Sequence, residues 1–325
     1  MLYRKCGGTG LKVSEIGFGA WAIGESWWGT QKENDSIDAL HKAIDMGVNF
    51  IDTAQGYGEG KSERVIAKVL KERKEKIYVA TKTPPAPGPW PPSPYCDMDD
   101  RYSETYIRKN IEERLRNLGT DCIDVLQFHT WTRAWNKDPR PLDTLKKLQQ
   151  EGKIKHIGIS TPEQDQNSVI DLMRRGYLDT VQVIYNIFEQ EPAAELLPVA
   201  LENNVGIIVR VVFDEGVLTG KYNKNSVFPE GDFRRNYFAG DRLGRAVDRV
   251  EKIRHDIEGR GLTMPQAAIK FALAHPAVST VITGIRNVAQ AQANAGVSGL
   301  PGMPEDVLIK LRAHNWLKGV WYSGK

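Results

Sequence analysis

The sequence predicts an α/β protein built as one (β/α)8 TIM barrel domain spanning residues 1–325. Two observations predict it. Eight short apolar runs of strand length recur along the chain, and amphipathic stretches of helical period lie between most of them. That alternation marks parallel βα units, and eight strands apolar on both faces suit a closed barrel. A doubly wound sheet is the runner-up, but no strand is followed by a G-x-G-x-x-G turn into a helix.

Taken in order, the opening "YRKCGGTGLKVSEIGFGAW" reads as a short hairpin about the turn signal Gly7-Gly8-Thr9-Gly10. The strand runs are "IGFGAW" (16–21), "VNFIDTA" (48–54), "IYVATK" (77–82), "IDVLQFH" (123–129), "IKHIGIS" (154–160), "TVQVIY" (180–185), "GIIVRV" (206–211) and "TVITG" (280–284). "DSIDALHKAIDMG" (35–47) puts Ile37, Leu40, Ala43 and Ile44 on one helical face and stops at Gly47. "SERVIAKVLKER" starts with Ser62 as its expected N-cap. "ETYIRKNIEERLRNLG" (104–119) and "DTLKKLQQEG" (143–152) also end at glycine, and helical stretches follow at 193–204, 264–275 and 287–296. Residues 83–100 hold seven prolines and can be neither helix nor central strand. This stretch and the polar-aromatic stretch 222–241 both follow strands, which places them on the C-terminal rim where barrel enzymes build their sites. The tail 301–325 carries Trp316, Trp321 and Tyr322.

Composition narrows the function classes. Charged residues are 26%, hydrophobic residues 41%, and the net charge is only +3, with no Lys/Arg run of the kind that binds nucleic acid. Cys6, Cys96 and Cys122 are far apart, odd in number and without zinc spacing, as expected of reduced thiols in a cytoplasmic protein. The N-terminus lacks a signal-peptide core, and no apolar run nears the roughly 20 residues that span a bilayer. Oligomeric state is not readable from the sequence.

The stretch "NFIDTAQGYGEGKSE" (49–63) first suggests a phosphate loop. That motif needs Gly, four residues, then Gly-Lys-Ser. With Gly60-Lys61-Ser62 fixed, position 55 is Gln55, and the motif fails by one residue. A second pattern is stronger. Asp52, Lys82 and His129 end three successive strand runs, and Tyr57 follows Asp52 in the loop between Gly56 and Gly58. Singly, an Asp caps turns, a Lys at a strand end is solvated, and a His is hydrogen-bonded structure. On successive strands of one barrel, such residues converge.

At this point the chain resembles the aldo-keto reductases. The motifs are the opening "RKCGGTGLKVSEIGFGAW", then "FIDTAQGYGEGKSE", "VATK", "LGTDCIDVLQFH", "IKHIGIS", "VQVIYN", "GVLTGKY" and "VITGIRNVAQAQAN", in the family's order over nearly the whole length. The resemblance implies a barrel closed at its bottom by the N-terminal hairpin, with extra helices and loops near the C-terminus. It implies a catalytic tetrad of Asp52, Tyr57, Lys82 and His129, and a nicotinamide cofactor held without a Rossmann domain. Carbonyl reduction needs a hydride on carbon and a proton on oxygen. A phenol has a reference pKa near 10, and a nearby ammonium lowers it, so Lys82 is expected to activate Tyr57 while Asp52 holds Lys82. His129 is expected to donate a hydrogen bond to the substrate oxygen.

The same resemblance gives Ser160, Thr161 and Gln182 to the nicotinamide carboxamide. It gives a loop with Gly216, Leu218, Gly220 and Lys221 to the pyrophosphate, through backbone amides. Gly284, Arg286, Gln290 and Asn294 fall to the adenosine end, where Arg286 favours NADP over NAD. Thr161 stands where the family often has Asn, and Arg210 where many members stack an aromatic on the nicotinamide. Arg210 is expected to stack there and disfavour the oxidised cofactor, unless Asp214 or Glu215 pairs with it. Trp21, Trp27, Trp28, Trp90, Trp131 and Trp135 cluster on the expected rim, and Trp21 and Trp131, beside strand ends, are the expected substrate contacts. The implied function is an NADPH-dependent reductase of an aldehyde, ketone or sugar carbonyl. The alternatives are a cofactor-bound regulatory or redox-sensing protein, or a sugar-modifying enzyme that retains its cofactor.

Overall fold

Strand alternation decides which side chains can meet, because every second residue of a barrel strand faces inward. The computed structural model of the chain describes residues 1–24 and 28–316. β1 (Tyr3–Lys5) and β2 (Lys12–Ser14) form an antiparallel hairpin. The eight predicted runs become β3 (Ile16–Gly19), β4 (Phe50–Asp52), β5 (Tyr78–Thr83), β6 (Ile123–Phe128), β7 (Ile154–Ser160), β8 (Thr180–Ile184), β9 (Gly206–Arg210) and β10 (Val278–Gly284). They close in the order β10-β3-β4-β5-β6-β7-β8-β9, every pair parallel.

The barrel has two chemically different ends. Its lower interior is apolar: Phe50, Tyr78, Ala80, Val125, Ile208 and Ile282 pack with Cys6, Leu11 and Val13 of the hairpin. The hairpin therefore plugs the bottom, as the resemblance implied. Two residues further along four of these strands the inward positions are Asp52, Lys82, Gln127 and Arg210. Ser160 and Gln182 pair in register between β7 and β8.

Helices pack their apolar faces on the outside of the strands in one large buried cluster. The predicted helices appear at Glu33–Asp45, Lys61–Glu72, Glu104–Leu118, Arg140–Gln150, Leu196–Glu202, Met264–Leu273 and Val288–Ala295. Helices at Arg242–Asp256 and Glu305–Arg312 are the extra C-terminal ones, which the periodicity had not located. One cap expectation fails. Gly60, in the left-handed conformation, caps Lys61–Glu72 without a side-chain bond. Ser62 is instead buried within the helix, where it donates to the Ala20 carbonyl and accepts from Thr53 Oγ1. Residues 84–97 run without helix or strand, but the stretch expected to lack both begins with the last residue of β5, Thr83, and ends in the short helix Met98–Tyr102, past its last proline. No helix among the described residues is long and apolar enough to cross a membrane. Trp27, Trp321 and Tyr322 lie outside the described residues.

Candidate active site

Asp52 closes β4 and Lys82 sits one strand over on β5, both facing inward at the upper end and both buried. Lys82 Nζ donates to Asp52 Oδ1 at 2.5 Å, to the Thr53 carbonyl at 2.9 Å and to Tyr57 Oη at 3.2 Å. An ammonium carries three donors, so all three are used. The other carboxylate oxygen, Oδ2, accepts from Gln182 Nε2 at 2.7 Å and Gln127 Nε2 at 3.1 Å. His129 follows β6, and its ring stands 5.9 Å from that of Tyr57, nearly perpendicular. The structure thus brings the four expected residues into one cluster, with Asp52 and Lys82 buried and Tyr57 and His129 half-buried above them.

The loop that delivers Tyr57 is held by backbone contact. Gly58 has φ +66°, and a Cβ there would lie 2.2 Å from the Gly24 carbonyl oxygen. Gly24 in turn approaches the Tyr57 backbone so closely that its own Cβ would fall 2.4 Å from the Tyr57 carbonyl carbon. Gly56 has open space and no such constraint.

Electrostatics in the cluster follow from burial and from one cation. Burial pushes the Tyr57 phenol up, and Lys82 opposes this without cancelling it, so the net direction is upward rather than the lowering expected from the lysine alone. Burial pulls Lys82 down, but the Asp52 carboxylate and Tyr57 outweigh it and hold the ammonium charged. Burial, then Lys82 and Arg210, drive His129 well below the ordinary imidazole range. The site therefore presents a protonated phenol, a charged lysine and a neutral imidazole, which has one N–H to donate.

The mouth above this cluster is aromatic. Trp21 packs on Tyr57 at 6.2 Å, on Trp28 at 5.3 Å and on Phe233 at 5.1 Å. Trp90, 51% exposed, stands 5.1 Å from the His129 ring. Trp131 departs from the expectation. It is 0% exposed and packs with Tyr102, Phe128 and Trp135, and its indole N–H donates to Asn136. It is the core of the loop after β6, and Trp90 from the proline-rich stretch takes the place beside His129.

The residues expected at a cofactor divide in the same way. Ser160 and Gln182 are buried beside the tetrad, and Gln182 is bonded to Asp52. The Thr161 hydroxyl donates to the Gln182 carbonyl at 3.2 Å, so it serves the sheet rather than the site. Arg210 Nη2 donates to the Thr161 carbonyl and to Glu163 Oε1, both at 3.0 Å, so its ionic partner is Glu163 rather than Asp214 or Glu215.

The amide cradle expected over 216–221 is closed. The N–H groups of Gly216, Val217, Leu218, Thr219 and Gly220 donate back to Phe213, Asp214, Gly216 and Val217 in successive turns, and Leu218 is buried. Lys221 follows this run of turns, and Arg234, ion-paired with Asp232, donates to Tyr222 Oη at 2.8 Å. Burial lowers the Lys221 pKa, and the nearby Arg234 and Arg286 guanidiniums lower it further against a single opposing Asp232. With Arg234 ion-paired to Asp232, the group as a whole keeps a net positive charge of the kind that suits a polyphosphate.

Arg286 Nε donates to Gln31 Oε1 at 3.0 Å and Nη2 to the Thr30 carbonyl at 2.9 Å. It lines a cavity of about 670 Å³ with Gln31, Lys32, Asn287 and Gln290. Gln290 accepts from the Arg286 amide and Asn294 donates to the Gly284 carbonyl, so both shape the turn. Gly284 has open space above it. Sequence reasoning missed Gln127, Phe233 and Arg234. Gln127 carried a readable signal, because it shares the inward parity of Val125 and His129 in an apolar run.

The family model described as the aldo/keto reductase family matches residues 15–315. An aldo-keto reductase of Bacillus subtilis is 31% identical over 94% of this chain and 91% of its own. An NADH-specific methylglyoxal reductase of Escherichia coli is 27% identical over 89% of this chain and 90% of its own. A solved glycerol dehydrogenase of Gluconobacter oxydans is 28% identical, with a TM-score of 0.77, over 96% of this chain and 94% of that one.

Proposed function

The chain belongs to the aldo/keto reductase family, and we propose that it is a cytoplasmic NADPH-dependent oxidoreductase that reduces an aldehyde, ketone or sugar carbonyl to the alcohol. One observation carries the reading: Lys82 Nζ bonds the Asp52 carboxylate and the Tyr57 hydroxyl at once. A bound nicotinamide would supply the hydride for the carbonyl carbon. Tyr57 supplies the proton to oxygen and, in the reverse direction, takes it back. The Lys82 charge stabilises the phenolate that results, and Asp52 keeps that charge in place. His129, neutral, donates a hydrogen bond to the same oxygen as negative charge grows on it.

Ser160 and Gln182, buried beside the tetrad, would hold the carboxamide, and Lys221, Arg234 and Arg286 would hold the phosphates. The preference for NADPH rests on Arg286 and its crowded neighbours, because a guanidinium suits a 2′-phosphate. Family membership does not supply it, since the Escherichia coli relative is an NADH-specific reductase. Trp21, Trp90 and Phe233 would line the substrate's path.

A panel of aldehydes, ketones and aldoses read at the nicotinamide absorbance band, with NADPH and with NADH, tests the reading. Tyr57→Phe should lose carbonyl reduction by about 10²–10⁴-fold, the range of general acid catalysis, with cofactor affinity retained. Wild-type turnover in that variant would remove Tyr57 from the mechanism. Binding of cofactor without turnover of any carbonyl would instead favour a sensing protein on this scaffold.

A further inference from the structure

β6 turns a second polar side chain into the barrel beneath His129. Gln127 is fully buried, in register with Lys82 on one side and Gly158 on the other. A buried amide costs free energy unless both of its ends are bonded. Here only Nε2 is bonded, to Asp52 Oδ2 at 3.1 Å, while Oε1 has no partner among the described residues. The strand beside it makes room for the amide: a Cβ at Gly158 would lie 3.0 Å from Gln127 Cγ and 2.3 Å from Thr180 Oγ1. Only the NH2 end of an amide can face a carboxylate favourably, so the charge of Asp52 fixes which way Gln127 points.

Asp52 is thereby held at both oxygens. Gln127 and Gln182 donate to Oδ2, and Oδ1 is left to Lys82. The terminal torsion of an Asp side chain is soft, so a carboxylate held at one oxygen swings easily. We propose that Gln127 is a positioning residue for proton transfer: by holding Oδ2 it aims Oδ1 at the Lys82 ammonium, and so keeps that ammonium aimed at the Tyr57 hydroxyl. The inference rests on Tyr57 being the proton donor.

The expected sign follows from the charges. Lys82 and Tyr57 together carry one positive charge while both hold their protons. A well-placed carboxylate makes the first proton of that pair harder to remove. Loosening the carboxylate therefore lets the pair lose it at lower pH.

Gln127→Met removes the donor at similar volume, and Gln127→Asn keeps the amide but shortens its reach, so at least one folded variant is expected. In each, kcat should fall about tenfold through mispositioning, with NADPH affinity within about twofold of wild type. The basic limb of the kcat/KM profile should move to lower pH by about half a unit. A second readout needs neither cofactor nor substrate: the ammonium protons of Lys82, identified by NMR through their loss in Lys82→Met. In the Gln127 variants they should exchange with water at least about threefold faster, as a looser ion pair allows. A folded variant with wild-type exchange and an unmoved basic limb overturns the inference. An active Tyr57→Phe would overturn the functional reading instead, while the exchange rate of Lys82 would still report on Gln127.

Discussion

Tyr57 and His129 face each other, half-buried, at the upper end of the barrel, and desolvation acts on them in opposite directions. It raises the phenol and lowers the imidazole, because in both it penalises the charged form. For His129 this has a consequence for stability. The unfolded chain takes up a proton near pH 6.5, whereas the folded imidazole resists protonation until well below that. The unfolded state therefore binds more protons once pH drops through 6.5, and folding stability contributed at this position is lost as pH falls. Compared with His129→Asn, wild type should lose up to about 1.4 kcal/mol per pH unit below that point. The difference in melting temperature between the two proteins, measured from pH 7.5 to 5, checks this. Parallel pH dependence would mean that His129 protonates freely in the folded state. The four residues of this cluster were legible in the sequence because strand ends and inward parity are both readable there. The ionic partner of Arg210 was not, because Glu163 comes from a neighbouring loop whose path no periodicity records. Trp131 was misplaced for a related reason. Nearness to a strand end does not tell whether a side chain turns toward the mouth or under its own loop.

At the scale of elements, the loop between β4 and the helix Lys61–Glu72 shows how a glycine-rich stretch can look like one device and be another. Its glycines carry no phosphate loop, and they are not equivalent. Gly58 needs both its left-handed φ and its bare α-carbon against Gly24, whereas Gly56 needs neither. Gly58→Ala should cost about 1–3 kcal/mol of strain and displace Tyr57, lowering kcat together with the melting temperature. Gly56→Ala should stay within about 1 kcal/mol of wild type. Thermal melts and turnover of the pair decide it, and equal effects at the two positions would reject the loop contact as the reason. All eight strands of the barrel were legible from short apolar runs, and seven helices from their apolar stripe, some of them ended by glycine. The loop over 216–221 was not, because its composition suits an open anion cradle as well as the closed run of turns it forms. What separates the two is where each N–H points, and that is fixed only when the chain packs.

Across the whole molecule, the barrel separates stability from chemistry. The lower end holds the apolar plug, and the upper end holds the polar residues that the helices and loops enclose. The sequence shows this division as strands that begin apolar and end polar, but the closeness of the plug is a property of three dimensions. Gly7, with φ +52°, lies so near β9 that a Cβ would fall 2.3 Å from the Gly206 nitrogen. A Cβ on Gly206 would in turn fall 2.5 Å from Cys6 Sγ. Burial pushes the Cys6 thiol up to about 11, so it stays a neutral packing group there. Gly206→Ala should therefore overpack the bottom and cost about 1–3 kcal/mol, a loss of several degrees in melting temperature. The tetrad stands at the other end of the strands, so kcat/KM at 25 °C should hold within about twofold, as expected where the bottom face of a barrel serves stability and the top face serves catalysis. Melting curves and initial rates on the same preparation test both halves. A variant that melts normally would show that the hairpin yields to a methyl group. A stable variant with lost activity would show that the plug reaches the active site through β9, whose last residue is Arg210.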